Sequence, residues 1–233
     1  MSPNVYRLPG LGPFIALGAF IMAALLLVCH AMTTKGRRRR KISAWAKAQG
    51  FSFANSLSNS REIPDSLLAP FKAATLLDEI SKPKAENIVR SEDDLLTWLI
   101  FDLHGWREHR FEESAPVQWT ITALTIGLQL PSLHIKPRLP ILSRIEAYSH
   151  PILRTGHHEF DRKFLLTGNG SGILTGEMQA CLLELSHAKN RWYRELFFQD
   201  DMIIVLEAGL ASPRHIEDMM AIASKIKDCI LPE

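Results

Sequence analysis

A chain of 233 residues that is 46% hydrophobic and 22% charged has room for one ordinary buried core and one added segment. Its charge is unevenly placed. The first 41 residues hold seven of the 27 Lys and Arg and no acid, so the remainder sets 20 bases against 25 acids. An acidic domain lacks the concentrated basic face that neutralises phosphates, which excludes nucleic acid as a partner.

In chain order, residues 1–10 read as a short extracytoplasmic N-terminus and 11–32 as a transmembrane helix. The stretch FIALGAFIMAALLLVC has no charged or strongly polar side chain. At about 1.5 Å per residue, the segment 11–32 reaches about 33 Å, enough for a hydrocarbon core of about 30 Å. Lys35, Arg37, Arg38, Arg39, Arg40 and Lys41 follow it, against Arg7 alone before it. The positive-inside rule then expects a single-pass inner (plasma) membrane protein, N-terminus out and C-terminal domain cytoplasmic. The same six charges form a membrane-surface site for anionic headgroups of the lipid bilayer. A cleaved signal peptide would carry its charge before the apolar run and small residues at the cleavage site; here the charge follows, and Cys29-His30-Ala31 is unsuitable.

Residues 33–50 form the basic juxtamembrane segment and a short helix over 43–49 that Gly50 ends. Residues 51–233 make up one domain. Its first part, 51–85, reads as irregular, with a short strand at 87–90. The run LLTWLIFDL (95–103) predicts a central strand covered on both faces. The polar stretch 106–115, with Arg107, Glu108, His109, Arg110, Glu112 and Glu113, reads as a solvated connection with docking potential. Over 117–128 the alternation changes phase, which predicts a bulge or bend near 123–125. A short strand bearing Leu133 and Ile135 stops near Pro137. FDRKFLLT (160–167) reads as a further strand, and GNGSG (168–172) as a turn.

The helix expected at 176–188 has Met178, Cys181, Leu182 and Leu185 on one stripe. Residues 192–198 and 202–207 flank Gln199-Asp200-Asp201, the pattern of a hairpin. Ser212 and Pro213 supply an N-cap and a first-turn proline for a last helix reaching 230, burying Ile216, Met219, Met220, Ala223 and Ile226. The fold class expected is α+β: a transmembrane helix, then a mostly antiparallel sheet with two C-terminal amphipathic helices.

No motif names a reaction. The GNGSG turn joins a strand to a helix, but a phosphate loop needs Gly-Lys-Ser/Thr, and Glu177 follows Gly176. A dinucleotide fingerprint fails at Ile173. His157, Glu159 and Asp161 are the densest set of metal-ligand types. On an extended chain they would share one face and await a ligand from another element. There is no G-x-S-x-G, and no cysteine sits in an activating polar context. Cys29, Cys181 and Cys229 fit neither a disulfide framework nor a zinc site and read as reduced thiols.

From HEFDRKFLLTG (158–168) and LPSLHIKPR (130–138), the chain resembles a loose bacterial family of single-pass membrane-anchored proteins of unknown function. The shared order is a membrane helix, an Arg-rich stop, a Phe-containing strand ending in Gly, an amphipathic helix, a strand pair (191–207) and a last helix (212–230). The resemblance implies topology and no catalytic residue. The function expected is a membrane-anchored cytoplasmic interaction module without enzymatic activity or cofactor, whose partner beside lipid is another membrane or cytoplasmic protein. The alternative is a membrane-tethered metal-dependent hydrolase using His157, Glu159 and Asp161.

Overall fold

The computed structural model describes residues 12–56, 80–91, 97–107, 115–138, 152–188 and 194–231; within its first helix the described side chains are 17, 19–24 and 33 onward. The chain divides into two compact units, Met1–Lys41 and Ile42–Glu233.

Helix α1 spans Gly12–Ala48. It corrects the transmembrane, single-pass reading of 11–32: among the described residues no helix is long and apolar enough to cross a membrane. The apolar side chains that are described form a short stretch, Leu17 and 19–24, and the polar and basic residues from Thr33 onward belong to the same helix. The separate helix expected at 43–49 is therefore the end of α1. It closes where Gly50 takes a left-handed φ of 75° and the Phe51 N–H returns to the Ala46 carbonyl at 2.8 Å.

Among the described residues of the second unit six strands form one sheet: β1 (Ser52–Ser56), β2 (Ile80–Arg90), β3 (Trp98–Arg107), β4 (Ala115–Pro137), β5 (Phe164–Gly168) and β6 (Glu195–Ala208). Each of these strand pairings is antiparallel, in keeping with the mostly antiparallel sheet expected from the sequence. The 23-residue β4 is the spine. One of its edges pairs with β3 and then β5, and β6 runs along the other. Among the described residues the unit also holds helices α2 (His158–Lys163), α3 (Gly176–Ala188) and α4 (Pro213–Ile230).

The core has two layers. One joins the sheet to helices through Ile42 and Ala46 of α1, Phe160, Met178, Leu182, Ile216, Met219 and Ile226, against Ile100, Leu124, Leu133 and Val205. The other gathers Leu99, Phe101, Leu103, Ile121, Ile204 and Leu206 from the opposite face. β3 thus feeds both layers, which explains its nearly continuous apolar run.

Several local expectations change. Residues 158–163 are helical, and only Phe164–Gly168 is strand, because two caps described below close the turn. The expected hairpin at 199–201 is an uninterrupted strand, with Asp200 at φ 54° absorbing an irregularity in the β4–β6 register. The β4 irregularity falls later than 123–125, between Thr125 and Leu130, where Gly127 has φ 68°. Part of the stretch read as irregular forms β1 and the start of β2. The docking stretch beyond Arg107, at 108–114, lies outside the described residues, as do Trp192 and Tyr193.

The Gly-rich turn has a packing cause. Gly168 has φ 120°, and a Cβ there would collide with the Ser132 carbonyl oxygen; one at Gly170 would press on Pro131. The Asn169 N–H donates to that same Ser132 oxygen at 2.9 Å. The glycines let the turn lie against β4.

Candidate functional site

Four polar places can be built from the residues upward. The first is the turn before β5, where His157, Glu159 and Asp161 stand. His157 caps α2, its Nδ1 accepting from the Phe160 N–H at 3.3 Å. Asp161 reaches back to the preceding loop. One carboxylate oxygen accepts from the Thr155 N–H and hydroxyl, both at 3.0 Å, and the other from the Gly156 N–H at 3.2 Å. Burial acts to raise the Asp161 carboxyl, but these donors and the positive Arg154 together hold it below its ordinary value. Glu159 faces elsewhere, 3.6 Å from Lys163 Nζ and 3.5 Å from His187 Nε2. The helix separates three residues that an extended chain would have aligned. Among the described residues no group of three or more His, Cys, Asp and Glu is placed to hold a metal ion.

The second place is buried and unforeseen. Asp102 on β3 is 1% exposed and Thr120 on β4 is 0% exposed. The Asn87 amide donates to one Asp102 oxygen at 2.8 Å and the Thr120 hydroxyl to the other at 2.9 Å. That hydroxyl in turn accepts the Ala211 N–H at 2.8 Å. The chain of bonds therefore runs from the β6–α4 connection through two strands to β2. Asn87 has φ 52°, beside a register shift between Glu86 and Val89; a short polar side chain tolerates that conformation. The sequence carried one signal of this: Asp102 is the acid inside an otherwise apolar run. Its burial denies a substrate access, so the row is a positioning network that fixes the entry to α4.

The third lies beside it. Glu207 pairs in register with Thr120 and accepts from Arg194 Nε at 2.8 Å, with His215 Nδ1 at 3.0 Å on its other oxygen. Asp218 is 3.9 Å from the same Arg194. These pairs tie β6 to the first turns of α4.

The fourth is α1. Residues 19–24 (AFIMAA followed by the leucines) are exposed at every described position, with Phe20 75% and Met22 59% exposed. Six consecutive residues at about 100° steps cover the whole helix circumference, so this stretch is apolar all round. Of the basic run, Lys35, Arg37, Arg39, Arg40 and Lys41 are exposed and Arg38 is half-buried. The five consecutive charges from 37 to 41 make a positive collar. Arg40 Nε donates to the Gly36 carbonyl at 3.4 Å.

No family model matches the chain, and no curated protein matches it. Among solved structures, the chain is similar to the crystal structure of the mycobacterial trehalose monomycolate transport factor A, TtfA. The TM-score is 0.55 and the identity 14%, over 83% of this chain and 96% of that one. At that identity the likeness is one of fold.

Proposed function

We infer that the chain is a non-enzymatic module of the cytoplasmic face of the inner membrane, held there by α1, whose Ile42–Glu233 domain engages another protein. The observation that carries this is the apolar stretch of α1 followed in the same helix by the collar of 35–41. A helix apolar on all sides gains by leaving water, and each nearby positive charge adds about 1 kcal/mol at an anionic leaflet. The fold shared with a protein named as a transport factor favours an accessory role over a catalytic one. The rival reading, a metal-dependent hydrolase on His157, Glu159 and Asp161, is weakened by the separate partners those side chains hold.

Vesicle flotation of the full chain tests the membrane reading. Binding to vesicles of phosphatidylglycerol with phosphatidylcholine is expected to exceed binding to phosphatidylcholine alone. It should fall at least tenfold when Lys35, Arg37, Arg38, Arg39, Arg40 and Lys41 are changed to Gln, since about 1.4 kcal/mol is already tenfold. Equal binding by a chain lacking residues 1–41 would overturn the assignment to α1. Crosslinking in cells followed by mass spectrometry tests the protein partner.

A further inference from the structure

One edge of the sheet is bare. Among the described residues β1 pairs with β2 alone, and Ser52, Ala54 and Asn55 are exposed. The other outer strands are covered: Leu153 bridges to Leu166 of β5, and Ile203, Ile204, Val205 and Leu206 of β6 are buried. Edges left in water usually carry a lysine, a proline or a bulge that turns other strands away. β1, with the sequence SFANS, has none of these, and it holds a single register with β2.

The direction of its free peptide groups follows from the next pairing. The Ser91 N–H donates to the Trp98 carbonyl at 3.1 Å, so Ser91 and Val89 turn their peptide groups towards β3. Alternation turns those of Arg90 and Ile88 towards β1, onto their register partners Ser52 and Ala54. The N–H and C=O of Phe53 and Asn55 are left facing outward.

We propose that β1 is a self-association edge, on which β1 of a second copy pairs antiparallel about a two-fold axis through Ala54 and joins the two sheets into one. In that register Phe53 of each copy exchanges backbone hydrogen bonds with Asn55 of the other, and Ala54 meets Ala54 as a non-hydrogen-bonded pair. Charge selects a second copy as the occupant. Residues 42–233 set 20 bases against 25 acids, and a two-fold contact lays each patch against itself. β1 has no charged side chain to repel its own copy, and at the axis Ala54 is small enough for strands to approach to about 4.8 Å. A ladder of five residues buries much less than the roughly 1,200 Å² of a standard interface, so the dimer exchanges and is read by trapping. The inference rests on neither the membrane nor the partner assignment above.

The test uses the full chain in detergent. Ala54→Cys places two sulfurs across a non-hydrogen-bonded pair, where Cα atoms lie about 4.5 Å apart and a disulfide closes without strain. Mild oxidation is expected to link two chains through position 54, identified by peptide mapping. Ser52→Cys, also exposed, stands four residues out of register with its own copy, about 14 Å along the strand, and should link at least about tenfold less. Asn55→Pro removes an outward donor that a single copy does not use. Added to Ala54→Cys, it should cut the link about tenfold and move Tm by less than about 4 °C. Asn55→Lys blocks the edge without restraining the backbone and should lower the link likewise. Equal linkage at positions 52 and 54, no linkage at 54 in a folded chain, or linkage that both Asn55 variants leave unchanged would overturn the proposal. So would oxidation in cells that joins position 54 to another protein and never to a second copy.

Discussion

The turn at His157–Asp161 and the row Asn87–Asp102–Thr120 are both polar, yet they differ in almost every physical respect. The first is contiguous in sequence, partly solvated, and satisfied largely by its own neighbours: His157 and Asp161 bond within six residues of themselves. The second is scattered over three strands and a connection, is buried, and joins groups at least 15 residues apart. A dense run of ligand-type residues looked like chemistry and is a helix cap. A lone acid in an apolar strand fixes four elements in place. Polar groups matter most to a fold where water cannot replace the lost partner.

Mutations can break or sharpen that contrast. Asp102→Ala should have the largest effect, because it leaves the Asn87 amide and the Thr120 hydroxyl buried without this acceptor. We expect a loss of about 1–3 kcal/mol in urea unfolding for each of these two neutral buried donors, so the sum exceeds any other single change considered. A loss below about 1 kcal/mol would show that the row is not the fastening described here.

Thr120→Val keeps the shape but orphans the Ala211 N–H and one Asp102 bond. A loss of about 1–3 kcal/mol is expected, together with faster amide exchange at Ala211.

Asp161→Asn should cost about 1 kcal/mol at neutral pH. Its carboxyl is held below the ordinary value in the folded protein. Its contribution is therefore complete above the unfolded value of about 3.9 and is lost as pH falls through the folded one. The Asn variant should flatten that part of the acid limb of stability against pH, read by thermal unfolding from pH 6 downward. An unchanged acid limb would remove the carboxylate from this role.

Glu159→Ala, at an exposed pairing with Lys163 and His187, should change stability by less than about 0.5 kcal/mol. A larger loss, measured in the same unfolding series, would make the turn more than a local cap.

Much of the domain was readable without coordinates, and the pattern of success is physical. α3 covers the 176–188 expected around its apolar stripe, and α4 is capped by Ser212, whose hydroxyl accepts the His215 N–H at 3.3 Å, with Pro213 next. Capping and a 3.6-residue period act within a few residues, so sequence carries them directly. Met220 is the exception on that face: Ile222 is buried in its place, because the width of the stripe depends on what packs against it.

The apolar-to-basic character of α1 and the acidic balance of the rest follow from the sequence alone, since charge and hydropathy are properties of residues in place. Whether α1 spans a membrane did not: the transmembrane reading gave way to a helix that runs on through its basic collar to Ala48. The tertiary structure also decided that β6 passes straight through Gln199-Asp200-Asp201, since pairing with β4 on both sides of the register shift outweighs a local turn signal. It turned 160–163, the first half of the strand expected at 160–167, into part of a helix through caps drawn from 155–157. It joined Asp102 to Thr120. Each of these depends on contacts between distant parts of the chain, whose free energy is set by burial and register and which no local pattern encodes.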